Sequence, residues 1–154
     1  MVTIFRRKRL LVTAVLSFSI PLFALDPTRD VSQYVVRSWG VSEGLPSPAV
    51  GSLAQTPDGY LWAGTTKGLV RFDGHRFKTF DRASTPSFPL NEVRILHHGP
   101  PGTLWLGFPV AGLVRFRDGR FTKIDTSLPI ASLVVTDDGS VVAAAGGQLW
   151  RVTG

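Results

Sequence analysis

The sequence contains no cysteine, so a disulfide cannot stabilise the fold. Stability must come from the burial of apolar side chains, and ten phenylalanines and four tryptophans provide large surfaces for it. Histidine is also scarce: the three histidines lie at positions 75, 97 and 98, and no carboxylate stands at ligand spacing from them. These absences predict a chain with no metal, no cofactor and no catalytic residue.

Positive charge is concentrated at the N-terminus. The formal net charge is +6, but four of the seventeen lysines and arginines lie in the segment Arg6–Arg9. Beyond it, thirteen basic residues stand against eleven acidic ones. Arg71, Arg115 and Arg151 fall on repeated strand positions, where basic residues commonly protect sheet edges from aggregation. This spread argues against nucleic-acid binding, which requires a basic patch or stripe.

The basic segment is followed by an apolar, uncharged run, Leu10–Leu25. A basic head before an apolar run that is short for a membrane span is typical of a secretory signal peptide. We predict a helical signal peptide over residues 1–24, a polar lead-in over residues 25–33, and an exported, periplasmic or extracytoplasmic location. Leu22 is larger than the residue that cleavage near Ala24 prefers, so an uncleaved N-terminal anchor is the alternative.

One segment recurs along the rest of the chain. Asp58–Gly64, which reads D-G-Y-L-W-A-G, corresponds to Pro101–Gly107 and more loosely to Asp138–Ala144. A second segment, G-L-V-R-F, begins at Gly68 and again at Gly112. The copies of the first segment start 43 and then 37 residues apart. This spacing is near the range in which internal repeats indicate solenoids, propellers or arrays.

Each complete repeat contains four short apolar segments separated by tight turns. Asp-Gly between apolar segments is a strong signal for a β-hairpin. The strands predicted for the first repeat are Val50–Gln55, Tyr60–Thr65, Gly68–Phe72 and Arg76–Phe80. Antiparallel four-stranded units that repeat at this spacing are typical of β-propeller blades.

Both faces of a blade pack against neighbouring blades, which explains the consecutive apolar pairs Leu61-Trp62 and Leu113-Val114. Gly64 and Gly107 lack a side chain where facing sheets must approach closely. The predicted fold is therefore all-β, an incomplete β-propeller of about three four-stranded antiparallel blades within residues 34–154. The predicted blades are residues 50–81, residues 93–125 and a truncated blade at residues 130–154.

Three blades are too few to close a propeller, since propellers have about four to eight. The sequence therefore resembles the N-terminal part of a longer protein whose further blades lie downstream. Residues 34–49 would form an orphan outer strand and the crossing into the first blade. Tyr34–Trp39 has the pattern of a blade's last strand. We predict that it pairs with the blade at the far end of the chain and closes the ring.

A proline marks each crossing between blades, at Pro46, Pro89 and Pro129. By analogy with other propellers, the face that carries these crossings is where ligands bind. The polar residues of the crossings are our candidate ligand-binding residues: Ser47, Asn91, Glu92 and Arg94. In the alternative interpretation, Ser47 and Asn91 only satisfy backbone groups of the turns.

The run from Gly59 to Gly74, preceded by Glu43–Pro46, closely resembles the two-component regulator propeller repeat. That repeat occurs in the extracytoplasmic sensor half of bacterial hybrid histidine kinases. The resemblance covers about residues 34–154 and weakens in the second and third copies. It implies a ligand-sensing module of a transmembrane receptor that is not itself an enzyme and that pairs as a homodimer in the full-length protein. It also implies a small extracellular ligand, and carbohydrates are a frequent class in that family.

An exported propeller enzyme, such as a polysaccharide lyase or hydrolase, is the alternative function. Its catalytic residues would lie in blades beyond this sequence. The downstream sequence distinguishes the two hypotheses: an apolar span of about twenty residues followed by a kinase domain supports the receptor. A histidine and carboxylate constellation on later blade loops supports the enzyme.

Overall fold

The computed structural model describes residues 35–100, 102–124 and 128–153. These residues form eleven β-strands and one short 3-10 turn at Val41–Glu43. All the strands belong to one compact unit, Arg37–Gly154, and form three antiparallel sheets. The predicted all-β class and the incomplete propeller are confirmed.

The first sheet contains the strands in chain order, β1-β2-β3-β4. Their bounds are β1 Val50–Gln55, β2 Leu61–Thr65, β3 Gly68–Phe72 and β4 Phe77–Phe80. β1 and β3 coincide with the predicted strands, while β2 and β4 begin one residue later. Each strand pairs with the next as a hairpin, and Trp62 in β2 lies opposite Arg71 in β3.

The second sheet repeats this order, and the third has three strands among the described residues. The second sheet consists of β5 Ile95–His98, β6 Thr103–Phe108, β7 Gly112–Arg117 and β8 Arg120–Ile124. The third consists of β9 Ile130–Val135, β10 Val141–Ala145 and β11 Gln148–Val152.

The turn between the first two strands has the same backbone hydrogen bond in all three sheets. In each, a backbone N–H donates to the carbonyl four residues later, at 2.9 to 3.1 Å. The donors are Thr56, Gly99 and Thr136. The glycines of these turns have φ between 78° and 88°, a region that other residues rarely adopt. The sequence repeat is therefore also a repeat of backbone conformation.

Two apolar clusters hold the three sheets together. The first joins sheets one and two around Trp62, whose ring centroid lies 5.3 Å from that of Phe116. The second joins sheets two and three around Trp105 and Ile130. All six residues of β6 are buried, because the second sheet is covered on both faces.

Two glycines allow the sheets to approach one another. A Cβ atom at Gly64 would lie 2.8 Å from the carbonyl oxygen of Val93, which leads into the second sheet. A Cβ atom at Gly107 would lie 3.0 Å from Cγ2 of Ile130 in the third sheet. The close approach predicted at both positions is confirmed.

The first sheet is open on the face turned away from the second sheet. Leu113 and Val114 are both buried, as predicted for a blade between two neighbours, whereas Leu61 is 45% exposed beside the buried Trp62. Leu61 points to the open face, where no described element covers it. A cleft of about 370 Å³ lies on this face between apolar side chains that include Trp39 and Phe72.

The segment before the first sheet has no strand in its described part, residues 35–40. Trp39 packs edge-on against Phe72, with ring centroids 5.1 Å apart. Tyr34, the predicted signal peptide at residues 1–24 and the predicted lead-in at residues 25–33 lie outside the described residues. The signal peptide and ring closure stay predictions. No helix within the described ranges has the length and apolar character needed to cross a membrane.

Candidate functional site

The crossing between the first two sheets forms a cleft of about 330 Å³. Glu92, Val93 and Arg94 line one side, and the start of β1 and the end of β2 line the other. The backbone N–H of Val93 donates to the carbonyl of Thr65 at 2.9 Å, and that of Arg94 donates to the carbonyl of Gly107 at 3.2 Å. These bonds tie the crossing to both sheets and hold the cleft in place.

Ser47 lies beside this cleft but is only 2% exposed. Its Oγ lies 2.8 Å from Oγ1 of Thr66 and accepts a hydrogen bond from the backbone N–H of Ala49. This contact agrees with the alternative interpretation of the sequence, in which Ser47 satisfies backbone groups of the turns. The serine supports the turns around the cleft and does not line it.

Asn91 also contacts the backbone. Its Oδ1 accepts a hydrogen bond from the backbone N–H of Arg82 at 2.9 Å. This contact ties together the two ends of the loop that connects the first sheet to the crossing. Asn91 does not line the cleft either.

Glu92 and Arg94 are the two candidates that the structure brings together in the cleft. Arg94 Nε donates to Glu92 Oε1 at 2.8 Å, and the side chains are 62% exposed for the arginine and 37% for the glutamate. An ion pair this exposed contributes little to stability. It presents guanidinium donors beside carboxylate acceptors, an arrangement that suits a ligand rich in hydroxyl groups.

A polar network at the opposite end of the strands was missed by sequence reasoning. In the first sheet, Trp62 Nε1 donates to Thr56 Oγ1 at 2.9 Å, and the Thr56 hydroxyl donates to Asp58. These residues border a second cleft, of about 350 Å³, between the first two sheets. The repeated Asp-Gly pair was interpreted as turn chemistry alone, so its link to the tryptophan was not anticipated.

The third sheet contains a related network. The Thr136 hydroxyl donates to Asp138, and Arg151 Nη2 lies 2.7 Å from Asp138 Oδ2. The hydrogen bond from Thr136, followed by that from the backbone N–H of Ser140, lowers the pKa of Asp138 well below its usual range. The carboxylate therefore stays ionised and keeps the arginine in place.

The second sheet lacks this network, because Gly99 stands where the other sheets have threonine. Trp105 Nε1 and Arg115 Nε are both buried, and neither has a hydrogen-bond partner among the described residues. The aligned repeats carried a signal for this difference, since Gly99 and Pro101 replace the Thr and Asp of the first copy.

The described residues contain no group of three or more histidine, cysteine, aspartate or glutamate side chains placed to hold a metal ion. His97 Nδ1 lies 2.9 Å from the backbone oxygen of its neighbour His98.

Comparison with known proteins identifies the first repeat. Residues 44–67 match the family model described as two component regulator propeller. The match spans the crossing with Ser47, all of β1 and β2, and the turn that follows β2. These residues are similar to the two-component regulator propeller repeat, in agreement with the resemblance seen in the sequence.

A curated relative is histidine kinase P4 of Formosa agariphila, which is 38% identical over 66 residues. These residues make up 41% of this chain and 5% of the kinase.

Two solved structures share the fold. One is the extracellular domain of a protein assigned to a hybrid two-component system of B. thetaiotaomicron, with a TM-score of 0.63, 15% identity, and coverage of 71% of this chain and 16% of that one. The other is a catalytically inactive virginiamycin B lyase of Staphylococcus aureus, solved with quinupristin. Its TM-score is 0.56 and its sequence identity 19%, and the match covers 71% of this chain and 40% of the lyase. At these identities the likeness establishes the propeller fold alone.

Proposed function

We propose that this chain is part of the extracytoplasmic, ligand-sensing propeller of a bacterial two-component receptor. The observation that carries the proposal is the family match over residues 44–67. Identity with a histidine kinase over 66 residues supports it. The basic N-terminal segment and the apolar run after it support export of the propeller.

The cleft beside Glu92 and Arg94 is the proposed ligand site. Its volume of about 330 Å³ falls at the lower end of the range for small-molecule pockets. The exposed donor and acceptor groups of the ion pair suit a small polar ligand such as a carbohydrate. The rigid backbone bonds around Val93 favour binding, because little of the site must be ordered when the ligand arrives.

The proposed mechanism is a population shift between two arrangements of a receptor homodimer. A ligand on the propeller, or between paired propellers, stabilises the arrangement that it binds more tightly. The kinase activity belongs to the remainder of the full-length protein, and the propeller only biases it.

A second candidate function is that of an exported propeller enzyme such as a lyase or hydrolase. The likeness to virginiamycin B lyase favours this alternative at the level of the fold. In that case the catalytic residues would lie on blades outside this chain, and the cleft at the crossing would contribute to substrate binding.

The receptor proposal can be tested with the full-length protein in proteoliposomes. Phosphate incorporation from ATP would be measured with oligosaccharides of glucose, xylose and mannose as probes. We expect one of them to change the incorporation, and we expect Glu92→Gln combined with Arg94→Gln to raise the half-maximal concentration at least about tenfold, which corresponds to about 1.4 kcal/mol. Arg76→Gln, an exposed change at the other end of the first sheet, is the matched control.

A full-length protein that incorporates no phosphate, with or without the probes, would argue against the receptor. A response that the Glu92 and Arg94 changes leave untouched would remove the crossing cleft from the proposal.

A further inference from the structure

Three equivalent arginines, one in each sheet, have different surroundings. The guanidinium carbon of Arg71 lies 4.2 Å from the ring centre of Tyr60, and Arg151 pairs with Asp138. The corresponding residue of the second sheet is Arg115. Within the described ranges it has neither kind of partner, because the sequence places Thr103 where the first sheet has Tyr60 and Pro101 where the third has an aspartate.

Arg115 therefore carries an unused donor. Its Nε is buried and makes no hydrogen bond, and the same is true of Nε1 of Trp105, its cross-strand neighbour in β6. Buried donors without partners are rare because they lose their hydrogen bonds to water on folding. Arg115 thus differs from Arg71 and Arg151 in having no partner among the described residues.

More positive charge surrounds Arg115. Side chains two residues apart on a strand share a face, so Arg117 lies on the same face as Arg115. Arg120 and Thr122 of β8 are the cross-strand partners of these two arginines. All four border a cleft of about 370 Å³, together with Asp118. Asp118 is the one carboxylate among the lining residues, and its Oδ2 lies 3.6 Å from Arg117 Nε.

We propose that this cleft, the blade-two basic cleft lined by Arg115, Arg117, Asp118, Arg120 and Thr122, binds a ligand through an oxyanion group: a carboxylate, sulfate or phosphate. Guanidinium groups donate paired N–H bonds to such anions, and the Thr122 hydroxyl adds a further donor. Three arginines against one aspartate leave the cleft with a net positive charge.

The blade-two basic cleft is separate from the crossing cleft. It lies around the β7–β8 turn, at the end of the strands opposite the crossing that carries Glu92 and Arg94. Anion binding there does not depend on a receptor function. An exported enzyme with an acidic substrate could use it equally.

The test is isothermal titration of the purified full-length protein with galacturonate, inorganic sulfate and inorganic phosphate. We expect saturable binding of at least one anion that weakens as NaCl is added, because salt screens charge interactions. Arg115→Gln combined with Arg120→Gln should reduce the affinity at least about tenfold. The matched control, Arg71→Gln combined with Arg76→Gln, changes the corresponding residues of the first sheet and should leave the affinity unchanged.

If loss of Arg115 prevents folding, judged by the thermal unfolding curve, Arg117→Gln combined with Arg120→Gln takes its place, since both residues are exposed. Binding of galacturonate alone identifies a carboxylate site, and binding of sulfate or phosphate identifies a general oxyanion site; both support the proposal. Absence of saturable binding for all three anions overturns it. So does an equal loss of affinity in the Arg71 and Arg76 control, or a loss that follows Glu92→Gln and Arg94→Gln instead.

Discussion

The first and second sheets are built from the same repeat but differ in what stabilises them. The indole N–H of Trp62 donates to Thr56, whereas that of its counterpart Trp105 is buried and has no partner in the described part of the chain. Burial differs in the opposite sense: every residue of β6 is buried, while Leu61 in the corresponding strand β2 is 45% exposed. Since the turn hydrogen bond is the same in both sheets, the comparison teaches that burial and polar contacts can change from one copy to the next while the backbone of the repeat is kept.

Replacing the equivalent leucine in each of the two sheets should give the largest difference in the free energy of unfolding. Leu104 is 1% exposed, and Leu61 occupies the same position of the repeat. Leu104→Ala should lower the free energy of unfolding by about 2 to 5 kcal/mol, because it leaves a cavity between two sheets. Leu61→Ala should cost less than about 1 kcal/mol, because its side chain is already half in water.

Urea unfolding followed by circular dichroism measures both changes. Equal costs for the two variants would contradict the open face of the first sheet and would indicate that another element covers Leu61.

The two close-approach glycines provide the next comparison. A Cβ atom at Gly64 would meet the backbone oxygen of Val93 at 2.8 Å, whereas one at Gly107 would meet the Cγ2 methyl group of the Ile130 side chain at 3.0 Å. Backbone atoms cannot move aside as side-chain atoms can, so Gly64→Ala should be the more destabilising of the two, within the range of about 1 to 3 kcal/mol for overpacked sites.

Gly51→Ala is the control, since its Cβ atom would lie no closer than 3.4 Å to any neighbour. The measurement is again the free energy of unfolding in urea. If Gly51→Ala destabilised the protein as much as Gly64→Ala, close approach would not explain the effect.

The tryptophan pair tests the polar difference directly. Trp62→Phe removes the hydrogen bond to Thr56 and leaves that buried hydroxyl without the indole donor, whereas Trp105→Phe removes a donor that has no partner. Both variants replace a buried tryptophan, 3% exposed at position 62 and 6% at position 105, by phenylalanine. We therefore expect Trp62→Phe to cost about 1 kcal/mol more than Trp105→Phe in the free energy of unfolding. The opposite order would show that the Trp105 indole N–H has a partner in solution.

The smallest effect concerns pH and the third sheet. Hydrogen bonds from Thr136 and Ser140 hold the pKa of Asp138 below its value in the unfolded chain. The resulting stabilisation is fully present above the unfolded pKa, about 3.9, and is lost as the pH falls through the folded pKa. Thermal unfolding between pH 7 and pH 2 should therefore show a smaller acid-induced loss for Asp138→Asn than for the unchanged protein. If the unfolding temperatures of the two proteins fell in parallel with pH, the ionised Asp138 would not contribute to stability.

Much of the fold could be predicted from the sequence, because its signals are local. Asp-Gly pairs specify tight turns between apolar segments, so β1 and β3 match their predicted bounds. Gly64 and Gly107 mark close approaches because only glycine fits there. The exposure of Leu61 could not be predicted in this way, since it depends on whether a neighbour covers that face.

The candidate site was predicted less completely. Glu92 and Arg94 lie in one cleft, but Ser47 and Asn91 contact the backbone of neighbouring turns instead. A polar residue near a crossing can face the ligand or the chain, and the choice depends on tertiary contacts such as that of Ser47 with Thr66. Arg115 was interpreted from the sequence as an ordinary edge residue, although the aligned repeats already place Thr103 and Pro101 where the other sheets have the partners of this arginine.

The most direct test of the receptor proposal is to read the coding sequence beyond the codon for Gly154. We expect it to continue in frame through further L-W-x-G and G-L-x-R-F blades to an apolar span of about twenty residues and a phosphotransfer domain. A reading frame that completes the propeller with a histidine and carboxylate constellation, and has no such span, would contradict the receptor and support the enzyme.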